Sequence, residues 1–307
     1  MKTEFCPFGG WNRNLSFSNE QAEMIVTLDV GPRIISYRMP GKNNIFKNYE
    51  EQLGGSEEGE WMIRGGHRLW LAPEDLAITY ALDNVPIIHK EEVDGFVVFT
   101  SKQETPVQIS KELGVRMDEV TSRVEIRHTA KNEGAEPIQI ASWGLSVMQP
   151  GGLAILPQPP MGNHPTDLLP NRNLILWPYT DMTDPRLHFG QKFITLQQSV
   201  EFPPTKFGLA HRSGWAAYLW EDSLFIKSFG YEEGANYPDF GCNFETFTNK
   251  DMLEMETLSP LVDLVPGAAV THNEIWNLFP LDEELQLESE DALSEWLAPF
   301  LVESGIL

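Results

Sequence analysis

Cysteine is scarce in this chain: Cys6 and Cys242 are the only two among 307 residues. They stand far apart and in no metal-type spacing, which disfavours a disulfide scaffold and a zinc knuckle. Positive charge is also short, with 22 Lys and Arg against 45 Asp and Glu and a formal net charge of −23. That balance argues against partners such as nucleic acid or an anionic membrane. No window approaches the ~18 apolar residues of a membrane span. Met1-Lys2-Thr3-Glu4-Phe5 has no apolar run after its lysine, so no signal peptide is expected and a cytoplasmic location is the default. A phosphate-binding Gly-Lys loop, a dinucleotide fingerprint and a Gly-x-Ser-x-Gly elbow are all missing. The spacing of His67 and Glu74 matches no standard metal site. The expectation is therefore no cofactor and no metal.

Aromatic mass, by contrast, is ample, with nine Trp and seventeen Phe. The chain reads as mostly β. Alternating or β-branched runs occur at 22–29, 33–38, 96–101, 121–129, 138–148, 192–197, 215–220, 223–229, 252–258 and 269–277. Turn chemistry such as Asp94-Gly95, Asn132-Glu133-Gly134 and Pro266-Gly267 separates them. Prolines gather between Pro150 and Pro170, and that stretch reads as a long loop unable to join a ladder. One helix is expected near the end. Leu293, Trp296, Leu297, Phe300 and Leu301 keep helical spacing behind a Ser289 cap, with Pro299 predicted to bend or end it. Acidic residues crowd Glu50–Glu60 and Asp282–Glu303, which reads as solvated surface. The organisation expected is one β domain over 1–280 and an acidic helical extension over 281–307 packed on it.

The most informative stretch is Ile63-Arg64-Gly65-Gly66-His67-Arg68-Leu69-Trp70-Leu71-Ala72-Pro73-Glu74. Paired glycines allow a bend or a close ligand approach. Around them stand a guanidinium fork, an imidazole, an indole and a carboxylate, groups suited to a polar, ring-shaped ligand. Farther on, Glu254 and Glu256 lie two residues apart on a predicted strand and so share a face. Two neighbouring carboxyls raise each other's pKa and poise one as an acid or a base. Glu245, on the 242–247 run, is a third such candidate.

Several blocks together resemble the galactose mutarotase-like superfamily, of which the aldose 1-epimerases are members. Arg123–Ser146 resembles its central hairpin, and Ile63–Glu74 the Arg-Gly-Gly segment of its hexose-phosphate mutarotases. Met252–Pro260 resembles the late strand that carries the base, and Pro266-Gly267 with Trp276 the closing turn and strand. Within the superfamily the pattern is most similar to an uncharacterised bacterial family, through Val30-Gly31-Pro32-Arg33-Ile34, Gly65–Trp70, Tyr237-Pro238-Asp239 and Leu253–Glu256. The resemblance covers roughly Glu23 to Leu278. It implies an all-β fold, an antiparallel two-sheet β supersandwich, here with the C-terminal helix added.

The resemblance implies a small-molecule carbohydrate as ligand, either a sugar or a sugar acid, and an aldose 1-epimerase working by general acid–base catalysis. Glu256 or Glu254 would be the base. Ser142-Trp143 stands where mutarotases usually carry a histidine and an aromatic, which shifts the acid's role to His67. Arg64, Arg68, Trp70, Glu74, Tyr237, Asp239, Glu245 and His164 are the candidate binding residues. Convergence of Arg64 and Arg68 with Lys206 or Lys227 would point to an anionic sugar. The alternatives are a carbohydrate-binding protein without catalysis and an accessory domain in polysaccharide metabolism. Nothing in the sequence specifies an oligomeric state.

Overall fold

Short alternating runs broken by turn residues direct the chain into β structure. The computed structural model describes residues 1–101, 107–281 and 289–307, and these contain 21 strands in two antiparallel sheets. Each of the ten expected runs overlaps a strand. The first sheet runs in the order Lys2–Phe8, Trp11–Ser18, Glu23–Thr27, Arg33–Arg38, His67–Ala72, Ile138–Met148, Leu253–Leu258, Phe244–Thr248, Thr205–Leu209, Leu174–Leu176, with Val262–Leu264 beside Ile138–Met148. The second sheet is built around Leu153–Pro157, Trp215–Trp220, Ser223–Phe229, Ala269–Pro280, Val124–Asn132 and Ile109–Met117, in that spatial order. This is the supersandwich expected from the sequence.

The main core lies between the sheets and includes Phe17, Ile34, Tyr37, Phe99, Leu113, Phe207, Phe225, Met255 and Trp276. Burying these side chains contributes about 1.5–3 kcal/mol each before the opposing chain entropy. The two sheets differ on their outer faces. Val124–Asn132 alternates buried and half-buried residues along its whole length, as a strand with one solvated face does. Ile138–Met148 is buried at every position from Ile140 onward, so both of its faces are covered. The cover on its outer side is an aromatic cluster with Trp70, Trp143, Trp61 and Tyr80.

Two expectations need correction. The proline-rich stretch does join a ladder: Leu153–Pro157 pairs with Phe193–Gln197 on one side and Trp215–Trp220 on the other. Its apolar residues 153–156 precede the proline cluster, and Pro157 falls at the strand end. The C-terminal helix, Glu290–Glu303, runs on through Pro299. Leu293, Leu297 and Leu301 are buried on either side of that proline, against Phe193, Trp215 and Phe279, and this packing outweighs the missing backbone N–H. Ser289 caps the helix by accepting a hydrogen bond from the Ala292 amide at 3.1 Å. Of the expected acidic cluster, Asp282, Glu283, Glu284 and Glu288 lie outside the described residues.

Candidate active site

Strand alternation and register place a set of polar side chains on the outer face of the first sheet. Trp70 lies opposite Trp143, and Arg68 opposite Leu145. Leu145 in turn lies opposite Glu256, and Val147 opposite Glu254. Beyond them Glu245 pairs with Glu256, Phe247 with Glu254, and Lys206 with Phe247. Because i and i+2 share a face, Glu254 and Glu256 project together. They open into a cleft of about 360 Å³ whose walls are Trp61, Trp70, Trp143, Tyr80, Tyr179 and Phe247, with Glu74 and Lys206 at its polar positions.

Lys206 organises the charge. Its Nζ stands 2.7 Å from Glu245 Oε2 and 3.0 Å from Glu256 Oε2, and 4.8 Å from the rings of both Trp143 and Trp177. Burial disfavours the ammonium, but the two carboxylates outweigh burial and hold its pKa well above the usual lysine range. Trp143 Nε1 also donates to Glu256 Oε2, at 3.0 Å. The other oxygen, Glu256 Oε1, has no hydrogen-bond partner among the described residues. Gly208 makes room for this arrangement. A Cβ there would come within 2.4 Å of Cys242 Sγ and 3.3 Å of the Glu245 side chain.

Three buried carboxyls around one ammonium cannot all ionise cheaply. Burial, with repulsion from Glu256, pushes Glu254 up to about 8. Among the described residues nothing hydrogen-bonds its carboxyl. Glu256 is also raised by burial, but Lys206 and the Trp143 indole pull it back. Glu245 is held well above its ordinary range, chiefly by burial. Near neutral pH the cleft therefore favours the protonated form of Glu254, beside a Glu256 whose ionised form is hydrogen-bonded, so the two carboxyls share one wall in unlike environments.

His67 is not in this cleft. The strand His67–Ala72 sends Arg68 and Trp70 outward, so His67 points inward between the sheets. There it belongs to a closed polar network. His128 Nδ1 lies 3.1 Å from the His272 carbonyl, which only accepts, so that nitrogen carries the proton. His128 Nε2 must then accept from His67 Nε2, 2.6 Å away, and His67 Nδ1 accepts from the Ser146 hydroxyl at 2.8 Å. Lys227 donates to Ser146 Oγ at 2.8 Å, to the Met255 carbonyl at 3.1 Å and to Glu274 Oε1 at 3.1 Å. Burial holds His67 and His128 below the ordinary histidine pKa, consistent with two neutral rings.

His67, His128 and Glu274 bring ligand atoms within 4.8 Å of one another, as a metal would require. Each of those atoms is already engaged, and Glu274 also accepts from Thr257 and, at 2.7 Å, from Trp276 Nε1. An ion would have to break this set beside the Lys227 ammonium. The donor set therefore fits a filled hydrogen-bond network better than a metal centre.

The remaining candidates scatter. Arg68 lies just behind the cleft wall, between the Trp61 and Trp70 rings at 4.6 and 4.4 Å. Arg64 is buried in the preceding loop, where it bonds Gln52, Glu58 and Asn84. Tyr237 stacks on Tyr231 at 5.6 Å and lines a separate depression beside His272. Asp239 sits in a left-handed turn with φ 48° and accepts from Cys242 Sγ through its carbonyl. His164 is exposed in the long loop. Arg64, Arg68, Lys206 and Lys227 do not converge, so the condition set for an anionic ligand is not met. Tyr80 and Tyr179 were not singled out from the sequence; both reach the cleft from loops.

No protein-family model matches the chain, and no curated protein matches it. Solved structures do. A galactose mutarotase-like protein from Lactobacillus casei aligns over 87% of this chain and 100% of its own, with TM-score 0.55 and 10% identity. A galactose mutarotase-like protein from Clostridium acetobutylicum gives TM-score 0.57 and 11% identity, over 91% and 99% of the two chains. An Escherichia coli K12 protein assigned provisionally as an aldose 1-epimerase gives TM-score 0.54 and 12% identity, over 87% and 98%. Two antiparallel sheets, a cleft on the outer face of one of them and superposition of 87–91% of the chain on these structures lead to one conclusion: this chain has the galactose mutarotase-like fold.

Proposed function

We propose that the protein binds a pyranose sugar in the aromatic cleft and interconverts its anomers, as an aldose 1-epimerase. The observation that carries this reading is the Glu254–Glu256 pair, two carboxyls of unlike environment on one wall of a cleft lined by Trp70 and Trp143. Indole faces suit the C–H groups of a sugar ring. Glu256, through its unpartnered Oε1, takes the proton of the anomeric hydroxyl. Glu254 gives its proton to the ring oxygen as the C1–O5 bond breaks. Rotation about C1–C2 and reclosure with the reverse transfers complete the exchange, so both carboxyls return to their starting states. Glu254 replaces His67 in the acid's role, because His67 faces the other side of the sheet.

The test is anomer exchange followed by NMR across a panel of aldoses, with Glu254→Gln and Glu256→Gln alongside. Loss of at least about 100-fold in kcat for each is expected from the usual worth of an acid–base group. Unchanged exchange in both variants, or no acceleration of any sugar, would sink the assignment. Binding without turnover is the second reading, favoured by the absence of any imidazole among the cleft-lining residues. Calorimetric sugar binding that survives Glu254→Gln with no measurable exchange would establish it.

A further inference from the structure

Glu74 stands at the cleft as an exposed carboxylate with no ion-pair partner among the described residues. Its side chain accepts one hydrogen bond there, at Oε1 from the Tyr80 hydroxyl at 2.5 Å, which leaves Oε2 open. The Tyr80 ring meets Trp61 at 5.1 Å and Trp70 at 5.2 Å, and those two indoles stand 5.8 Å apart. Cations already lie against this aromatic wall. Arg68 sits over Trp61 and Trp70 from behind, and Lys206 over Trp143. Neither is available to a ligand's negative charge: Arg68 is 1% exposed and does not line the cleft, and Lys206 holds Glu245 and Glu256. Glu254, 7% exposed, and Glu256 Oε1 belong to the same cleft, and neither has a hydrogen-bond partner among the described residues. A ligand therefore meets open acceptors, a free carboxylate and aromatic rings, and no available cation.

We propose that the cleft selects a cationic sugar, an amino-deoxy aldose, whose ammonium is received by Glu74 beside the Trp61, Trp70 and Tyr80 rings. This names the substrate class of the site assigned above and rests on that assignment. An ammonium offers three N–H donors and no acceptor. Glu74 Oε2 takes one of them in a charge-assisted hydrogen bond, and the aromatic rings attract the cation. A neutral aldose gives Glu74 only a hydroxyl donor, without the attraction of opposite charges. A uronate or a sugar phosphate brings its own negative charge to an unpaired carboxylate and finds no cation to offset it. Glu74 thus sets which sugars are held, while Glu254 keeps the proton it gives to the ring oxygen. The ammonium falls to the exposed carboxylate rather than to the buried acid.

The experiment is calorimetric binding at pH 6, where the sugar amines are protonated, with anomer exchange followed by NMR on the same sugars. The panel is glucose, its 2-amino, 3-amino and 6-amino deoxy derivatives, the N-acetyl form of each amine, and glucuronate. At least one amino sugar should bind about 10-fold or more tightly than glucose, and its N-acetyl form should lose that gain. Glucuronate should bind more weakly than glucose. In Glu74→Gln the affinities for the amino sugar and for glucose should come within about 3-fold of each other. Glu74→Lys should turn the preference towards glucuronate, and Glu254→Gln should leave the amino-sugar preference in place. No amino sugar preferred over glucose, or a preference that survives Glu74→Gln, overturns the proposal. So does a preference abolished by Glu254→Gln instead, since the ammonium then sits on the acid. Exchange of glucose anomers without any amino-sugar preference removes this inference alone. A preference set by Glu74 with no anomer exchanged removes the epimerase and leaves the selectivity. A panel that does not bind at all removes both.

Discussion

Trp143 donates its indole N–H to Glu256 Oε2 at 3.0 Å, from the neighbouring strand of the same sheet. The indole is thus both a wall of the cleft and a donor to the proposed base. Replacing it with phenylalanine keeps a ring and removes the donor. A hydrogen bond to a charged group is worth about 1.5–3 kcal/mol, so the Glu256 pKa should rise by about 1–2 units. The acid limb of the pH–rate profile should move up by that amount, while the alkaline limb stays where it was. A profile that only drops in height, with both limbs fixed, would count against this role.

Lys206 holds two carboxyls at once. Lys206→Met leaves Glu245 and Glu256 buried without their cation, and removing one partner of a buried pair costs about 3–5 kcal/mol. Adding Glu245→Gln should recover part of that loss, because one of the stranded charges goes with it. Urea denaturation of the two single variants and the double variant measures the coupling. Strict additivity would mean that the pair contributes nothing.

Glu254 should be a site where function costs stability. Its folded pKa, about 8, lies above the ordinary carboxyl value, so the folded state binds the extra proton. That contribution is full below the unfolded pKa and is lost as pH rises through about 8. Glu254→Gln cannot ionise, so at pH 9 it should be more stable than the wild type by about 1–4 kcal/mol. At pH 4 the two should be equal.

The buried histidines work in the opposite direction. His272 is held at about 3 and His211 at about 4, both by burial, and both must be neutral in the fold. Unfolded histidine takes up a proton below about 6.5, so stability is full above that value and falls as pH drops towards 3. His272 alone should cost about 2 kcal/mol at pH 5 relative to pH 7. Denaturation midpoints at the two pH values test this, and a folded His272→Gln should show a shallower acid loss.

Gly144 leaves no room for a side chain. A Cβ there would lie 2.8 Å from Glu274 Oε1 and 3.1 Å from the His128 ring. Gly144→Ala should therefore disturb the inner network and destabilise the fold by about 1–3 kcal/mol. Thermal melting checks it, with an unshifted Tm as the contrary result.

Much of the sandwich was legible from period-two runs and turn residues, and so was the shared face of Glu254 and Glu256. The same alternation applies within His67–Ala72, where it separates His67 from Arg68 and Trp70. Read as a Gly-Gly loop, that segment grouped all three. Gly65 and Gly66, at φ 85° and 73°, turn the chain only just before the strand begins. Tyr80, Trp61 and Tyr179 were not legible because loop paths depend on tertiary packing rather than on local pattern. Lys206 sits in a five-residue strand interrupted by Gly208, too short for its facing to be read without its neighbours.

Met255 lies between Glu254 and Glu256, and its carbonyl receives the Lys227 ammonium from the inner network. One strand thus separates two charged chambers, and Lys227 is itself influenced by Glu256 across the partition. Variation deep between the sheets, far from any sugar, should therefore surface as altered proton affinity in the cleft. Surveys for rate-changing substitutions that scan only the residues a ligand can touch would miss that half of the apparatus.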